Sequence, residues 1–289
     1  MMKIIISILL ALWCLPSIAQ DRVLVMGDSW ASFIHWSGAL QKVVNQYQAE
    51  HAGSYDFHLR YLQLPGTKAY QWNSPWGRFL TYWKLRKQEP VDVVILSLGG
   101  NDFIELVDKH QMPSEQKRTF QEITNNIQGV IDQLQQWSPG VRILLLGYDY
   151  PNFEESLENW LVGDPDRGYW KSLGRPDTIE ANRLITDFEE YKFQLAEQMQ
   201  HVQYVNNLGL MQSIYGLPKH GIPADELLEP SSVDFVPGGD INFASPAAGM
   251  LSLPGHVDSI HLSLEGYRLA MDRLLTNFLL PLLQNSSRN

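Results

Sequence analysis

Outside its first twenty residues the chain has no cysteine; the single one is Cys14. A chain without cysteine in its body forms no disulfide, offers no thiolate nucleophile and builds no thiolate metal site. It therefore has to hold itself together by a packed core, and the remaining length suffices for one large domain. Long apolar runs are also missing from the body. The stretch 278–283 is short and split by Pro281, so it reads as the buried end of a final helix rather than a bilayer span. Cations are scarce and unclustered. With 22 Lys and Arg against 32 Asp and Glu the net charge is −10, and −11 once Lys3 is removed. Such a chain is a poor partner for nucleic acid or for an anionic membrane, and stable membrane insertion is not expected. There is no internal repeat and no low-complexity linker.

The N-terminus is a separate piece. Lys3 supplies a positive start, residues 4–12 are apolar but too short to span a bilayer, and Ser17-Ile18-Ala19 places small residues at the −3 and −1 positions of a cleavage site. Residues 1–19 are expected to be a signal peptide cleaved after Ala19. Residues 20–289 then form the mature, secreted or periplasmic protein.

The chain is organised around Val23-Leu24-Val25-Met26-Gly27-Asp28-Ser29-Trp30, a buried strand running into a tight turn and a helix over 31–48. Further strands are expected at 56–62, 91–98, 141–146 and 202–205. Helices are expected at about 74–87, 114–137, 177–200 and 263–283. The run 91–98 is apolar apart from Asp92 and Ser97, as in a strand covered on both faces. Residues 148–175 read as an irregular insertion and 208–255 as a long loop that covers something. Alternating strands and helices imply an α/β fold, a single three-layer αβα domain. Its sheet is expected to be parallel and flavodoxin-like, in strand order 2-1-3-4-5. In such a sheet ligands bind beyond the carboxyl ends of the strands, where Ser29, Gly66 and Asn101 all fall.

A serine at a strand-to-helix junction is lifted clear of the sheet, with its own N–H at the positive end of the next helix. It needs a base. Asp258 and His261, three residues apart in the loop before the last helix, supply one: the carboxylate holds one imidazole nitrogen and leaves the other to face Ser29. Taken alone, Asp-x-x-His is most often a satisfied surface pair and Gly-Gly-Asn only a turn. Together with Ser29 they gain meaning. The side-chain amide of Asn101 and the backbone N–H groups of Gly66 and Ser29 make three donors for one oxyanion.

Gly27-Asp28-Ser29, Gly66, Gly99-Gly100-Asn101-Asp102 and Asp258-Ser259-Ile260-His261 occur in the order of the sequence blocks of the SGNH hydrolase superfamily, the GDSL-type esterases and lipases, which the chain resembles over most of its mature length. The resemblance implies a serine esterase with a Ser29–His261–Asp258 triad, an acyl-enzyme, an oxyanion hole of Ser29, Gly66 and Asn101, a small-molecule or glycan ester as substrate, and neither cofactor nor metal. Trp30 stands where the family name has leucine, a departure not expected to affect the chemistry. The two long insertions leave the choice of ester open. A carbohydrate O-acetylesterase, an O-acyltransferase and a non-catalytic glycan-binding protein are the alternatives. A metal-dependent phosphoesterase would need Gly-Asn-His or Gly-His-x-His ligands, which the sequence lacks. His35 and His256 are expected to be bystanders, Asp28 to hold the turn, and Asp102 to cap the helix after strand 3.

Overall fold

The computed structural model describes residues 20–51, 56–86, 91–158, 165–253 and 256–286; the expected signal peptide, 1–19, lies outside them. Five strands form one parallel sheet: β1 (Gln20–Gly27), β2 (Asp56–Gln63), β3 (Val93–Ser97), β4 (Arg142–Leu146) and β5 (Val202–Val205). Their order is β2-β1-β3-β4-β5, as the alternation of elements implied. Every residue of β3 is buried, which is what the apolar run Val93–Leu96 requires of a strand covered on both faces.

Helices flank the sheet on both sides. One layer contains α1 (Ser29–Ser37), α2 (Ala39–Glu50) and α11 (Leu264–Leu274), which runs on through a π turn (Leu275–Leu279) into α12 (Leu280–Ser286). The other contains α3 (Ala69–Asn73), α4 (Pro75–Arg86), α6 (Pro113–Trp137) and α9 (Thr178–Gln198). Short helices α5 (Gly100–Leu106), α7 (Phe153–Ser156), α8 (Pro165–Ser172) and α10 (Leu210–Tyr215) sit at the strand tips. Among the described residues no helix is long and apolar enough to cross a membrane.

Three sequence expectations are corrected. The helix expected over 31–48 is two helices, broken where Gly38 adopts the left-handed conformation (φ +64°) that closes α1 and opens α2. The apolar period continues across the break, so periodicity alone could not reveal it. The stretch 148–175 is not irregular throughout: α7 and α8 lie within it. Asp258 and His261 do not lie in a plain loop. They belong to β7 (His256–Leu262), which pairs antiparallel with β6 (Met250–Leu253). Met250 faces Leu262 and Ser252 faces Val257, so the four residues between Val257 and Leu262 stand against Leu251 alone, three more than the pairing needs, and β7 bulges there.

Candidate active site

The bulge brings the Asp-x-x-His pair into register. One oxygen of Asp258 accepts the backbone N–H groups of Ile260 and His261 at 2.8 and 2.7 Å. The other lies 2.9 Å from His261 Nδ1. Across the rim, His261 Nε2 lies 2.9 Å from Ser29 Oγ. Serine, imidazole and carboxylate thus form one continuous hydrogen-bond chain at the carboxyl end of β1. With Nδ1 as donor to the carboxylate, Nε2 accepts the serine proton. Burial pushes the Asp258 carboxyl up, but the His261 ring and the two backbone donors outweigh it and hold the group below its ordinary value. Phe33 packs against the His261 ring, centroids 4.6 Å apart, and limits its swing.

Ser29 opens α1, with Asp28 as the N-cap accepting the Trp30 N–H. Asp28 holds the turn, as expected, but its partners reach further. One oxygen also accepts the Ser97 hydroxyl at 2.9 Å and the other accepts Tyr148 Oη at 2.5 Å. Tyr148 Oη in turn accepts the Gly100 N–H at 3.0 Å. One phenol therefore joins the turn that carries Ser29 to the turn that carries Asn101. Burial raises the Asp28 carboxyl, against the pull of these donors. Behind Tyr148 lies a buried ion pair. Lys192 Nζ sits 4.3 Å from the Tyr148 ring centroid, donates to the Leu146 carbonyl at 2.6 Å and pairs with Glu189 at 3.1 Å. Glu189 also accepts the Tyr204 hydroxyl.

Asn101 lines the same cavity as Ser29. Its Nδ2 donates to the Thr67 carbonyl at 3.0 Å, which ties it to the 64–67 turn. Gly66 occupies that turn in the left-handed conformation (φ +74°) and is solvent-exposed. Asp102 does not cap its own helix. It accepts the Ala69 N–H at 2.7 Å, so it starts α3 instead and fixes the turn before it. Burial raises Asp102 to about 6.

Sequence reasoning missed two further contacts. Trp30 is not a neutral departure: its indole N–H donates to the Ile260 carbonyl at 3.0 Å, fastening the residue after the serine to the residue before the histidine. Leucine has no donor with which to do this. Asp166, on α8, accepts both the Ser259 hydroxyl at 2.6 Å and the Ser259 N–H, and it pairs with His256 at 2.9 Å. His256 thus has its own carboxylate, supplied by the insertion. His35 stacks on Tyr61 and meets Gln63, an exposed helix residue as expected. Beside Ser29 opens a cleft walled mainly by apolar side chains, among them Phe103, Ile104, Phe153, Leu173, Ile185 and Ile260. Half of that wall comes from α7, α9 and the 148–175 insertion. Among the described residues no group of His, Cys, Asp and Glu is placed to hold a metal ion.

The profile of the GDSL-like lipase/acylhydrolase family matches residues 25–269. The chain belongs to that family. This GDSL-like acylhydrolase is accordingly a hydrolase acting on ester bonds. No curated protein matches it in sequence. Among solved structures it is similar to a gut microbial diltiazem-metabolizing enzyme, at 16% identity and a TM-score of 0.54, over 91% of this chain and 47% of that one. It is also similar to Est24, a carbohydrate acetylesterase from Sinorhizobium meliloti, at 16% identity and a TM-score of 0.49, over 91% of this chain and 99% of that one. The first of these likenesses extends to the fold and no further.

Proposed function

We propose that this acylhydrolase cleaves carboxylic esters through an acyl-enzyme on Ser29, with His261 as general base and Asp258 as the residue that positions it. The observation that carries the proposal is the unbroken chain from Ser29 Oγ to His261 Nε2 and from His261 Nδ1 to Asp258, 2.9 Å at each step. Ser29 Oγ attacks the acyl carbon while its proton passes to Nε2, and the carbonyl electron pair moves onto oxygen. Three donors meet that oxyanion: the N–H of Ser29, the N–H of Gly66, and the second N–H of the Asn101 amide, the first being spent on Thr67. Collapse expels the alkoxide, which takes the proton from His261. Water then attacks the acyl-enzyme with the same base, releasing the acid and restoring Ser29. Asp258, held ionised at neutral pH, stabilises the imidazolium in both halves.

The apolar cavity beside Ser29 accepts a hydrocarbon acyl group better than a hydrated one, so the acid part of the ester is the apolar part. The protein works outside the cytoplasm, the reading that residues 1–19 support; an exported form beginning at Gln20 by N-terminal sequencing would bear this out.

The test combines p-nitrophenyl ester hydrolysis with fluorophosphonate labelling. Ser29→Ala should lose both, the turnover by a factor on the order of 10⁶. Turnover at the wild-type rate in Ser29→Ala would remove the proposal.

A further inference from the structure

Helix α4 is built inside out. Its buried face is Gly77 and Thr81. A Cβ on Gly77 would stand 2.4 Å from the Gln71 carbonyl oxygen and 2.5 Å from Trp72 Cα, so the helix is pressed backbone to backbone on α3 and cannot rotate. That orientation sends the large side chains outward. Trp76 is 65% exposed, Phe79 55% and Trp83 47%, at the i, i+3, i+7 spacing of one stripe, with Trp76 and Phe79 stacked at 5.9 Å. A globular helix ordinarily turns such residues to the core; a contiguous exposed stripe of them marks an interaction surface.

The charge around the stripe is as unusual as its aromaticity. From residue 57 to residue 88 there is no Asp or Glu, while Arg60, Lys68, Arg78, Lys84, Arg86 and Lys87 are present, in a chain whose net charge is −10. Three of them, Lys84, Arg86 and Lys87, fall within four positions, but the overall charge conceals them. Folding gathers some of them. An open depression between α4 and the edge strand β2 is lined by His35, His58, Arg60, Tyr61 and Lys84, with no acid in the lining. Lys68 is answered by Glu105. The same run contains the 64–67 turn, where Leu64 is exposed, and Tyr70 just after it, so the surface extends to the edge of the active site.

We infer that α4 and the adjoining basic rim seat this protein on an anionic lipid surface, with the aromatic stripe in the interfacial layer and the cations among the headgroups. An amphipathic helix with aromatics on one face and cations beside them is suited to the boundary between water and acyl chains, where Trp and Tyr side chains settle. A neutral glycan would make no use of the acid-free charge. Two copies paired face to face through this stripe would set cation against cation. Single-stranded nucleic acid is tracked in a groove with stacking platforms, whereas this stripe stands on a helix's outer face. The inference does not depend on the catalytic reading of Ser29.

The experiment is co-sedimentation of the purified mature protein with phosphatidylcholine vesicles, with and without phosphatidylglycerol, at low and high salt. The protein should pellet with the anionic vesicles, and high salt should release it. Lys84→Gln and Arg60→Gln should each weaken partitioning about fivefold. Trp76→Ser combined with Trp83→Ser should weaken it at least about tenfold, with the thermal unfolding midpoint kept as the control for folding. Failure to pellet with anionic vesicles at low salt overturns the inference. So does equal binding to pure phosphatidylcholine, or undiminished binding by the Trp76, Trp83 variant. Retardation on an uncharged polysaccharide gel, or self-association in the ultracentrifuge, that is lost with Trp76 and unaccompanied by vesicle binding assigns the stripe to another occupant.

Discussion

Removing a single oxygen atom from Tyr148 tests how the two halves of the site are joined. Tyr148→Phe keeps the ring, its edge-on contact with Trp30 at 5.2 Å and its place beside Lys192. It deletes the hydroxyl that donates to Asp28 and accepts from Gly100. The Gly100 N–H loses its partner, at about 1–3 kcal/mol, and the buried carboxylate loses one of its three donors, at about 1.5–3 kcal/mol. The lower ends add to about 2.5 kcal/mol, and for a chain of this size each kcal/mol lowers the unfolding midpoint by about 2–4 °C. A drop of about 5–10 °C follows. The sign of its pH dependence is fixed too. Burial already raises the folded-state Asp28 above its unfolded value, and losing a donor to the charged form raises it further. A carboxyl raised on folding is stabilised while protonated, and that stability is lost as pH climbs from the unfolded value through the folded one. The deficit of Tyr148→Phe is therefore larger at about pH 8 than at about pH 5. Because Gly100 immediately precedes Asn101, turnover should also fall about tenfold or more as the oxyanion donor loosens. Calorimetry at the two pH values and an ester assay read all three effects. An unfolding midpoint within about 2 °C of wild type at both pH values, with unaltered turnover, would refute the reasoning.

Four further outcomes are expected. Asn101→Ala should lower kcat/KM for p-nitrophenyl esters by about 10²–10³, the worth of one oxyanion donor; a loss under about threefold would remove Asn101 from the hole. Asp258→Asn should cost about 10⁴ in kcat, less than Ser29→Ala and far more than a surface change, since the imidazole loses both its orientation and its counter-charge. Asp102, raised to about 6 by burial, makes the wild type lose stability as pH rises from about 4 to 6; urea unfolding of Asp102→Asn should show that slope flattened, and an unchanged slope would mean the carboxyl is ionised throughout. Ile185→Phe should narrow the apolar cavity and shift the preferred p-nitrophenyl ester to a shorter acyl chain, by about fourfold in kcat/KM per excluded methylene; an unaltered chain-length profile would place the acyl group elsewhere.

The strand order and the convergence of Ser29, Asn101 and the Asp258–His261 pair were legible because they follow from alternating elements and from residues placed at strand tips. What was hidden was whatever depends on a partner distant in sequence and unremarkable in type. Tyr148 stands two residues past the end of β4, and a phenol at that tip was the one available signal for a link to Asp28. Asp166 gave no signal at all: it stands in a stretch without periodicity, and only folding sets it beneath Ser259. The bulge in β7 could not be read either, because the surplus residues show only against the partner strand. Trp30 was misjudged through comparison with leucine as an apolar residue, when its value lies in the indole N–H. The acid-free run from 57 to 88 stood in plain view but was averaged away in the total charge.

The hydrogen bond between Ser29 and His261 spans 232 positions of sequence. At the usual pace of synthesis of about 5–20 residues per second, roughly 10–50 s separate the two on the ribosome. Throughout that interval the serine is an ordinary alcohol with no base, and the Trp30 indole has no Ile260 carbonyl to hold. On the proposed reading a nascent chain that stops short of His261 is therefore chemically silent, and reactivity arrives only once His261 has been made and folded against Ser29.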